Sequence, residues 1–143
     1  MTAAGTKAEP RIVKTLFLKA PPHHVWKFLT TAKGLATWFH EAPHDLEAGG
    51  EYRVDTNSLG HEGERLCWGR VLEFKPFEKL VHTFTHGHLD GVETTCTWTL
   101  EEMSGGTMLT LVHEGFGADP FQQLANHDAG WDEHFRRLRK VVA

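Results

Sequence analysis

Apolar and polar residues alternate along most of the chain with the two-residue period of β-strands. The first such run, residues 11–18, has apolar side chains on both faces and ends before Pro21-Pro22. The alternation returns in several runs between residues 51 and 116, separated by short segments such as a predicted loop over residues 57–63. Strands joined by short turns usually pair as an antiparallel meander. The pattern therefore predicts an antiparallel sheet of six or seven strands.

Two short helices are predicted directly after the first strand, where the apolar residues change to helical spacing. Pro22 suits the first position of a helix, because its missing N–H needs no partner there. Gly34 interrupts the pattern, and a second short helix then contains Trp38 and Phe39. Pro43 marks the end of this helical region.

One long helix is predicted over residues 120–142, with Asp119 as its cap and Pro120 at its first position. One stripe along this helix is formed by residues that recur at gaps of three and four positions. The stripe consists of Phe121, Leu124, Asp128, Trp131, Phe135, Leu138 and Val142. Gly130 weakens a helix by about 1 kcal/mol relative to Ala, so we expect it where the helix passes close to the sheet.

Composition and charge exclude several classes of protein. The chain has 143 residues, 40% hydrophobic and 24% charged, which is typical of one globular domain. We expect a disordered lead-in over residues 1–10 and a single domain over residues 11–143. The formal net charge of −4 argues against nucleic-acid binding. Neither a signal peptide nor a membrane span is indicated, so we expect a cytoplasmic protein with no membrane partner. Cys67 and Cys96 are expected to be free and buried.

Six segments of the chain, in a fixed order, carry a family resemblance. They are Ala20-Pro21-Pro22-x-x-Val25-Trp26, Leu35-Ala36-x-Trp38-Phe39, Gly69-Arg70-Val71-Leu72-Glu73, Leu80-Val81-x-Thr83-Phe84, Leu109-Thr110-Leu111-x-His113-x-Gly115-Phe116 and His127-x-x-Gly130-Trp131-x-x-x-Phe135-x-x-Leu138. In this order they resemble the START-like, helix-grip superfamily (SRPBCC). The local motifs are similar to the branch named after the activator of the ninety-kilodalton heat-shock chaperone's ATPase.

The resemblance implies an α+β helix-grip fold, in which a curved antiparallel sheet wraps around the long C-terminal helix. In that superfamily the space between sheet and helix is often a cavity for an apolar or aromatic small molecule. Its members include lipid carriers and aromatic polyketide cyclases. The chaperone branch implies a chaperone as an alternative partner, and a homodimer is left open.

The residues expected to line such a cavity are aromatic or polar groups on elements that face one another. They are Trp38, Trp68, Phe84, Trp98, His113, His127, Asp128 and Trp131. The aromatic members can equally fill a core. Asp128 is the most informative, because an unpaired carboxylate in an apolar stripe is costly. It pairs with a sheet residue such as Arg70, faces a wet cavity, or lies on the flank of the helix.

The eleven histidines raise the question of a metal site. His82, His86 and His88 share strand parity, but His82 and His86 lie too far apart along a strand to share a metal unaided. No HExxH or CxxC motif accompanies them. We therefore expect no metal and no cofactor.

Three functions follow, in order of preference. The first is a binding protein for an apolar or aromatic small molecule, and the second is a co-chaperone that acts through its surface. The third is a cyclase- or dehydratase-like enzyme that uses His113, His127 or Asp128 as acid or base; His113 can equally cap the connection to the last helix. A cavity above about 300 Å³ favours the first or third, and a filled core favours the second. Catalysis is the less expected outcome.

Overall fold

The computed structural model describes residues 9–55, 64–89, 91–117 and 120–143. Within these residues, one antiparallel sheet contains six strands in the order β1-β6-β5-β4-β3-β2. The strands are β1 (Arg11–Leu18), β2 (Glu51–Asp55), β3 (Arg65–Lys75), β4 (Lys79–Phe84), β5 (Thr94–Met103) and β6 (Gly106–Glu114). The helices are α1 (Pro22–Thr30), α2 (Ala32–Trp38) and α3 (Phe121–Val142).

These elements confirm the predicted α+β helix-grip fold, with two short helices after the first strand and one long helix at the end. Pro22 begins α1 as expected. Pro120 precedes α3 as its N-cap residue instead of occupying the first helical position. The predicted lead-in up to residue 8, the loop over residues 57–63 and the Asp119 cap lie outside the described residues.

The first strand of the chain, β1, pairs with the last strand, β6, so the two are neighbours in the sheet. β1 is antiparallel to β6 from Arg11 opposite Glu114 to Leu18 opposite Thr107. β5 and β6 are joined by a tight turn at Ser104-Gly105, where both residues have positive φ. The inner faces of β1, β6 and β5 therefore lie side by side beneath the helices.

The junction of α1 and α2 places two aromatic rings in the core. Gly34 N–H donates to the capping oxygen Thr31 Oγ1 at 2.9 Å. A Cβ at Gly34 would lie 2.2 Å from the Lys27 carbonyl oxygen, so the close approach of the two helices requires glycine. The Trp38 indole N–H donates to the Phe28 carbonyl at 2.8 Å, and both Trp38 and the following Phe39 are buried.

Aromatic rings fill the centre of the space between sheet and helix. Phe135 on α3 stacks on Trp38 with ring centroids 6.0 Å apart and on Trp131 at 5.5 Å. Trp98 on β5 meets Trp131 edge to face at 5.5 Å. The mid-sheet region is therefore a packed core and leaves no space for a ligand between these rings.

Only the C-terminal part of the predicted α3 stripe is buried against this core. Its buried members are Trp131, Phe135, Leu138 and Val142. Phe121, in the first turn, is 76% exposed, and Asp128 is exposed on the flank of the helix. In the first turns of α3, Leu124 is partly buried against the core, and open space remains beside this part of the helix.

Candidate functional site

The open space is a cleft of about 310 Å³ beside the first half of α3. We call it the histidine cleft. The sheet and the end of α2 contribute Phe39, His40, Leu66, Cys67, Phe84, His86 and His88. Helix α3 contributes Gln123, Asn126, His127, Gly130, Trp131 and His134. Five of these side chains are imidazoles, and none of the described lining residues is Asp, Glu, Lys or Arg.

Gly130 keeps the cleft open on the helix side. No atom lies within 4 Å of the position that its Cβ would occupy. The expectation that Gly130 permits a close approach of helix and sheet was therefore wrong, because Gly130 faces the open cleft. A side chain at position 130 would enter the cleft without displacing the backbone.

Two histidines from opposite walls meet in the cleft. His86 follows β4, His127 lies on α3, and their Nε2 atoms are 2.8 Å apart. His127 Nδ1 lies 2.6 Å from the Gln123 carbonyl, which can only accept, so this nitrogen carries the hydrogen. The His88 backbone N–H donates to His86 Nδ1 at 3.2 Å, so this nitrogen is bare. In the neutral pair, His86 Nε2–H therefore donates to His127 Nε2.

The surroundings of the cleft favour uncharged imidazoles. Burial is the largest cause of the lowered pKa of His86, about 4, and the His127 ring adds to it. Burial likewise lowers the pKa of His134 to about 4, with contributions from His40 and Arg137. Burial and Arg137 also lower the pKa of His40. At neutral pH the cleft therefore presents His86 and His134 as neutral hydrogen-bonding rings.

His113 lies behind the cleft and is fully engaged in the core. It accepts from the Trp131 indole N–H at Nδ1 over 3.1 Å, so its hydrogen is on Nε2, 2.7 Å from Thr94 Oγ1. The Thr94 hydroxyl in turn donates a hydrogen bond to the Phe84 carbonyl. Both ring nitrogens of His113 thus have partners, and its side chain is completely buried.

His82 makes a second chain of the same kind. The Trp98 indole N–H donates to His82 Nε2 at 3.0 Å, and His82 Nδ1–H donates to the Thr83 carbonyl at 2.9 Å. Tyr52 stacks on the His82 ring with centroids 3.8 Å apart. The two buried histidines each satisfy a buried indole, which would otherwise lose a hydrogen bond to water.

The structure brings three of the eight expected site residues into the cleft, namely Phe84, His127 and Trp131. Three others, Trp38, Trp98 and His113, belong to the adjacent core. The remaining two lie elsewhere. Trp68 packs under the Arg65 guanidinium, 3.8 Å from its ring centroid. Asp128 lies on the flank of α3. There, Lys14 Nζ is 2.5 Å from Asp128 Oδ1 and 3.0 Å from Asp132 Oδ1.

Of the three placements considered for Asp128, the structure has the flank of the helix, and its partner is Lys14 on β1 instead of Arg70. Burial lowers the pKa of Lys14, but hydrogen bonds to Asp128 and Asp132 outweigh it and the pKa is raised. Lys14 thus stays charged at neutral pH, and its ion pairs lie on the flank of the helix, outside the lining of the cleft.

Sequence reasoning missed several cleft residues, including His86 and His134 as parts of one site. A helical signal was present: Gln123, His127, Gly130 and His134 follow one another at gaps of four, three and four residues. This second stripe runs beside the apolar one. A stripe of polar composition is typical of a solvent-facing surface, whereas the structure makes it the wall of the cleft.

The described residues contain no group of three or more His, Cys, Asp or Glu side chains arranged to hold a metal ion. Cys67 and Cys96 are free and buried, as predicted, and burial raises the pKa of Cys67 to about 12. No helix in the described part of the chain has the length and apolar character needed to cross a membrane.

Comparison with known proteins places the chain in the START-like, SRPBCC class. A family model matches residues 19–143, and the chain belongs to this family, described as Activator of Hsp90 ATPase homolog 1-like protein. No match was found among curated proteins.

Solved structures share the fold. Bacillus halodurans protein BH1534 is 28% identical, with a TM-score of 0.72 over 94% of this chain and 97% of that one. CalU16 from Micromonospora echinospora is 22% identical, with a TM-score of 0.76 over 93% and 76%. The Aha1 dimer from Colwellia psychrerythraea is 18% identical, with a TM-score of 0.73 over 92% and 95%. The latter two identities support the fold alone.

Proposed function

We propose that the protein binds a small planar or apolar molecule in the histidine cleft. The observation that carries this proposal is the open volume of about 310 Å³ between the first half of α3 and the end of β4. That volume lies at the lower end of the range of about 300–1,000 Å³ for ligand pockets. It suits a molecule of one or two fused rings.

The walls of the cleft support a flat ligand. Phe39 stacks on Trp131 with ring centroids 5.5 Å apart, and Phe84 lies tilted against Trp131 at 6.0 Å. These rings form an apolar surface, and the imidazoles provide hydrogen bonds at its rim. Such a combination of an apolar wall with a few polar groups is typical of small-molecule sites.

The other two functions draw less support from the site. A cyclase-like reaction needs an acid or base that reaches the substrate, and among His113, His127 and Asp128 only His127 lines the cleft. A co-chaperone role, which the family description suggests, would use the surface and has no need of the cleft. We therefore rank binding first and keep a chaperone partner as the alternative.

A fluorescence titration with the neutral probe N-phenylnaphthylamine tests the proposal. The wild type should enhance the probe's emission, and Gly130→Leu should weaken binding by about tenfold or more, equivalent to ~1.4 kcal/mol. Ala129→Leu adds the same side chain to the exposed face of α3 and should bind as the wild type does.

Absence of enhancement with the wild type, or equal binding by Gly130→Leu, would reject the cleft as a ligand site. A chaperone ATPase assay on the same variants distinguishes ligand binding in the cleft from the co-chaperone role. A surface-acting co-chaperone would stimulate a chaperone ATPase equally well with Gly130→Leu and with the wild type.

A further inference from the structure

The histidine pair of the cleft has a hydrogen-bond chain with a defined direction. The chain runs from the His88 N–H to His86, from His86 Nε2–H to His127 Nε2, and from His127 Nδ1–H to the Gln123 carbonyl. Each ring thus holds one hydrogen, and each bare nitrogen accepts one hydrogen bond. The pair is complete only while both rings are neutral.

One added proton makes this arrangement impossible. A proton on His127 Nε2 would face the hydrogen on His86 Nε2, which lies 2.8 Å away. The two N–H groups repel each other, so at least one ring must turn. Both Nε2–H groups can then point into the cleft, where they form two converging donors. A carboxylate or phenolate oxygen is the natural acceptor for such a pair.

Among the described residues that line the cleft, no carboxylate is available to pair with this positive charge. His113 on β6 lies 5.4 Å from the His127 ring, and His88 lies 5.8 Å from the His86 ring. The β3 side contributes the Cys67 thiol, whose raised pKa keeps it neutral.

The end of α2 contributes His40, and α3 contributes His134, with Arg137 beyond them. The carboxylates Asp128 and Asp132 are held by Lys14 on the flank. None of the described lining residues supplies an anion.

We propose that the ligand of the histidine cleft carries an acidic group, and that His86 and His127 bind it with uptake of one proton. This inference rests on the proposed binding function and names the chemical class of the ligand. The proton comes from solvent and forms one N–H bond on the histidine pair, no other covalent bond forms or breaks, and the ligand anion accepts a hydrogen bond from both rings. The aromatic part of the ligand then lies against Trp131 and Phe39.

Isothermal titration calorimetry with a matched pair of probes tests this proposal. Naphthoate carries the acidic group, and naphthamide is its uncharged counterpart. Naphthoate should bind more tightly at about pH 6 than at about pH 8, with up to about a tenfold change per pH unit. Its heat should vary with the ionisation enthalpy of the buffer and indicate uptake of about one proton. Naphthamide should show neither dependence.

His127→Gln and His86→Gln keep a hydrogen-bonding side chain but cannot take up a proton. Either variant, if folded by circular dichroism, should lose the pH dependence of naphthoate binding and keep the binding of naphthamide. His23→Gln, on the exposed face of α1, is the matched control and should behave as the wild type.

Two outcomes overturn the proposal and are distinct from each other. If naphthamide binds, but naphthoate binds without proton uptake or equally at both pH values, the proton-coupled binding of an acidic ligand is wrong and the proposed function stands. If neither probe binds, the proposed function fails as well.

Discussion

The Trp131 indole N–H donates to His113 Nδ1 at 3.1 Å, which joins the long helix to the last strand inside the core. Trp131 therefore has two roles: one edge of its ring is held by His113, and its face meets Phe39 at the border of the cleft. The wall of the proposed binding site is thus positioned by a buried hydrogen bond.

Replacement of Trp131 by Ala should lower the free energy of unfolding by about 3–5 kcal/mol. The substitution empties a central core position and leaves His113 Nδ1 without its donor. Chemical denaturation with circular dichroism measures the effect. Trp131→Phe keeps an aromatic ring at this position and should lower the free energy of unfolding by less than Trp131→Ala does. A loss below about 1 kcal/mol for Trp131→Ala would show that the ring borders open space more than core.

Gly130→Ala should stabilise α3 by about 1 kcal/mol, because Ala restricts the unfolded chain and the new methyl group meets no atom within 4 Å. Thermal unfolding of the variant and the wild type measures the difference. A destabilised Gly130→Ala would indicate that the helix lies closer to the sheet than in the structure. Gly34→Ala is the opposite case and should be destabilising, since its Cβ would lie 2.2 Å from a carbonyl oxygen.

Stability should fall as the pH drops below about 6.5. Burial lowers the pKa of His82 to about 4, and burial with neighbouring histidines lowers that of His113 to about 3. In the unfolded chain a histidine titrates near about 6.5, so below that pH the unfolded state binds more protons. The stabilisation is complete above about pH 6.5 and is lost by up to about 1.4 kcal/mol per pH unit for each ring.

Urea unfolding at a series of pH values measures this slope. His113→Gln should reduce the slope, and His23→Gln, which changes an exposed histidine, should leave it unchanged. An unchanged slope in His113→Gln would show that His113 does not carry the pH dependence.

Asp128→Asn should change the free energy of unfolding by less than about 1 kcal/mol, because Lys14 keeps Asp132 as a partner and the pair is partly exposed. Binding of N-phenylnaphthylamine should be unaffected, since Asp128 lies on the flank away from the cleft. Weaker probe binding by Asp128→Asn would place this carboxylate in the site after all.

Most of the fold could be predicted from the sequence, because strand and helix periodicity are local properties. The alternating runs and the residues around Pro22 and Gly34 each act through neighbours a few positions away. They indicated the antiparallel sheet, the paired short helices and the C-terminal helix. For the same reason, the apolar stripe of α3 indicated that Trp131 and Phe135 face the sheet.

The location of the cleft was decided by the tertiary structure. The stripe of α3 continues to Phe121, but its fully buried members are Trp131, Phe135, Leu138 and Val142, and periodicity cannot show where along the helix close packing begins. His86 and His127 are 41 positions apart in the chain, and the packing of α3 beside β4 brings them together. Asp128 faces outward because Lys14 on β1 offers a partner there. Such contacts depend on the distances between distant segments, which the local pattern of apolar and polar residues does not contain.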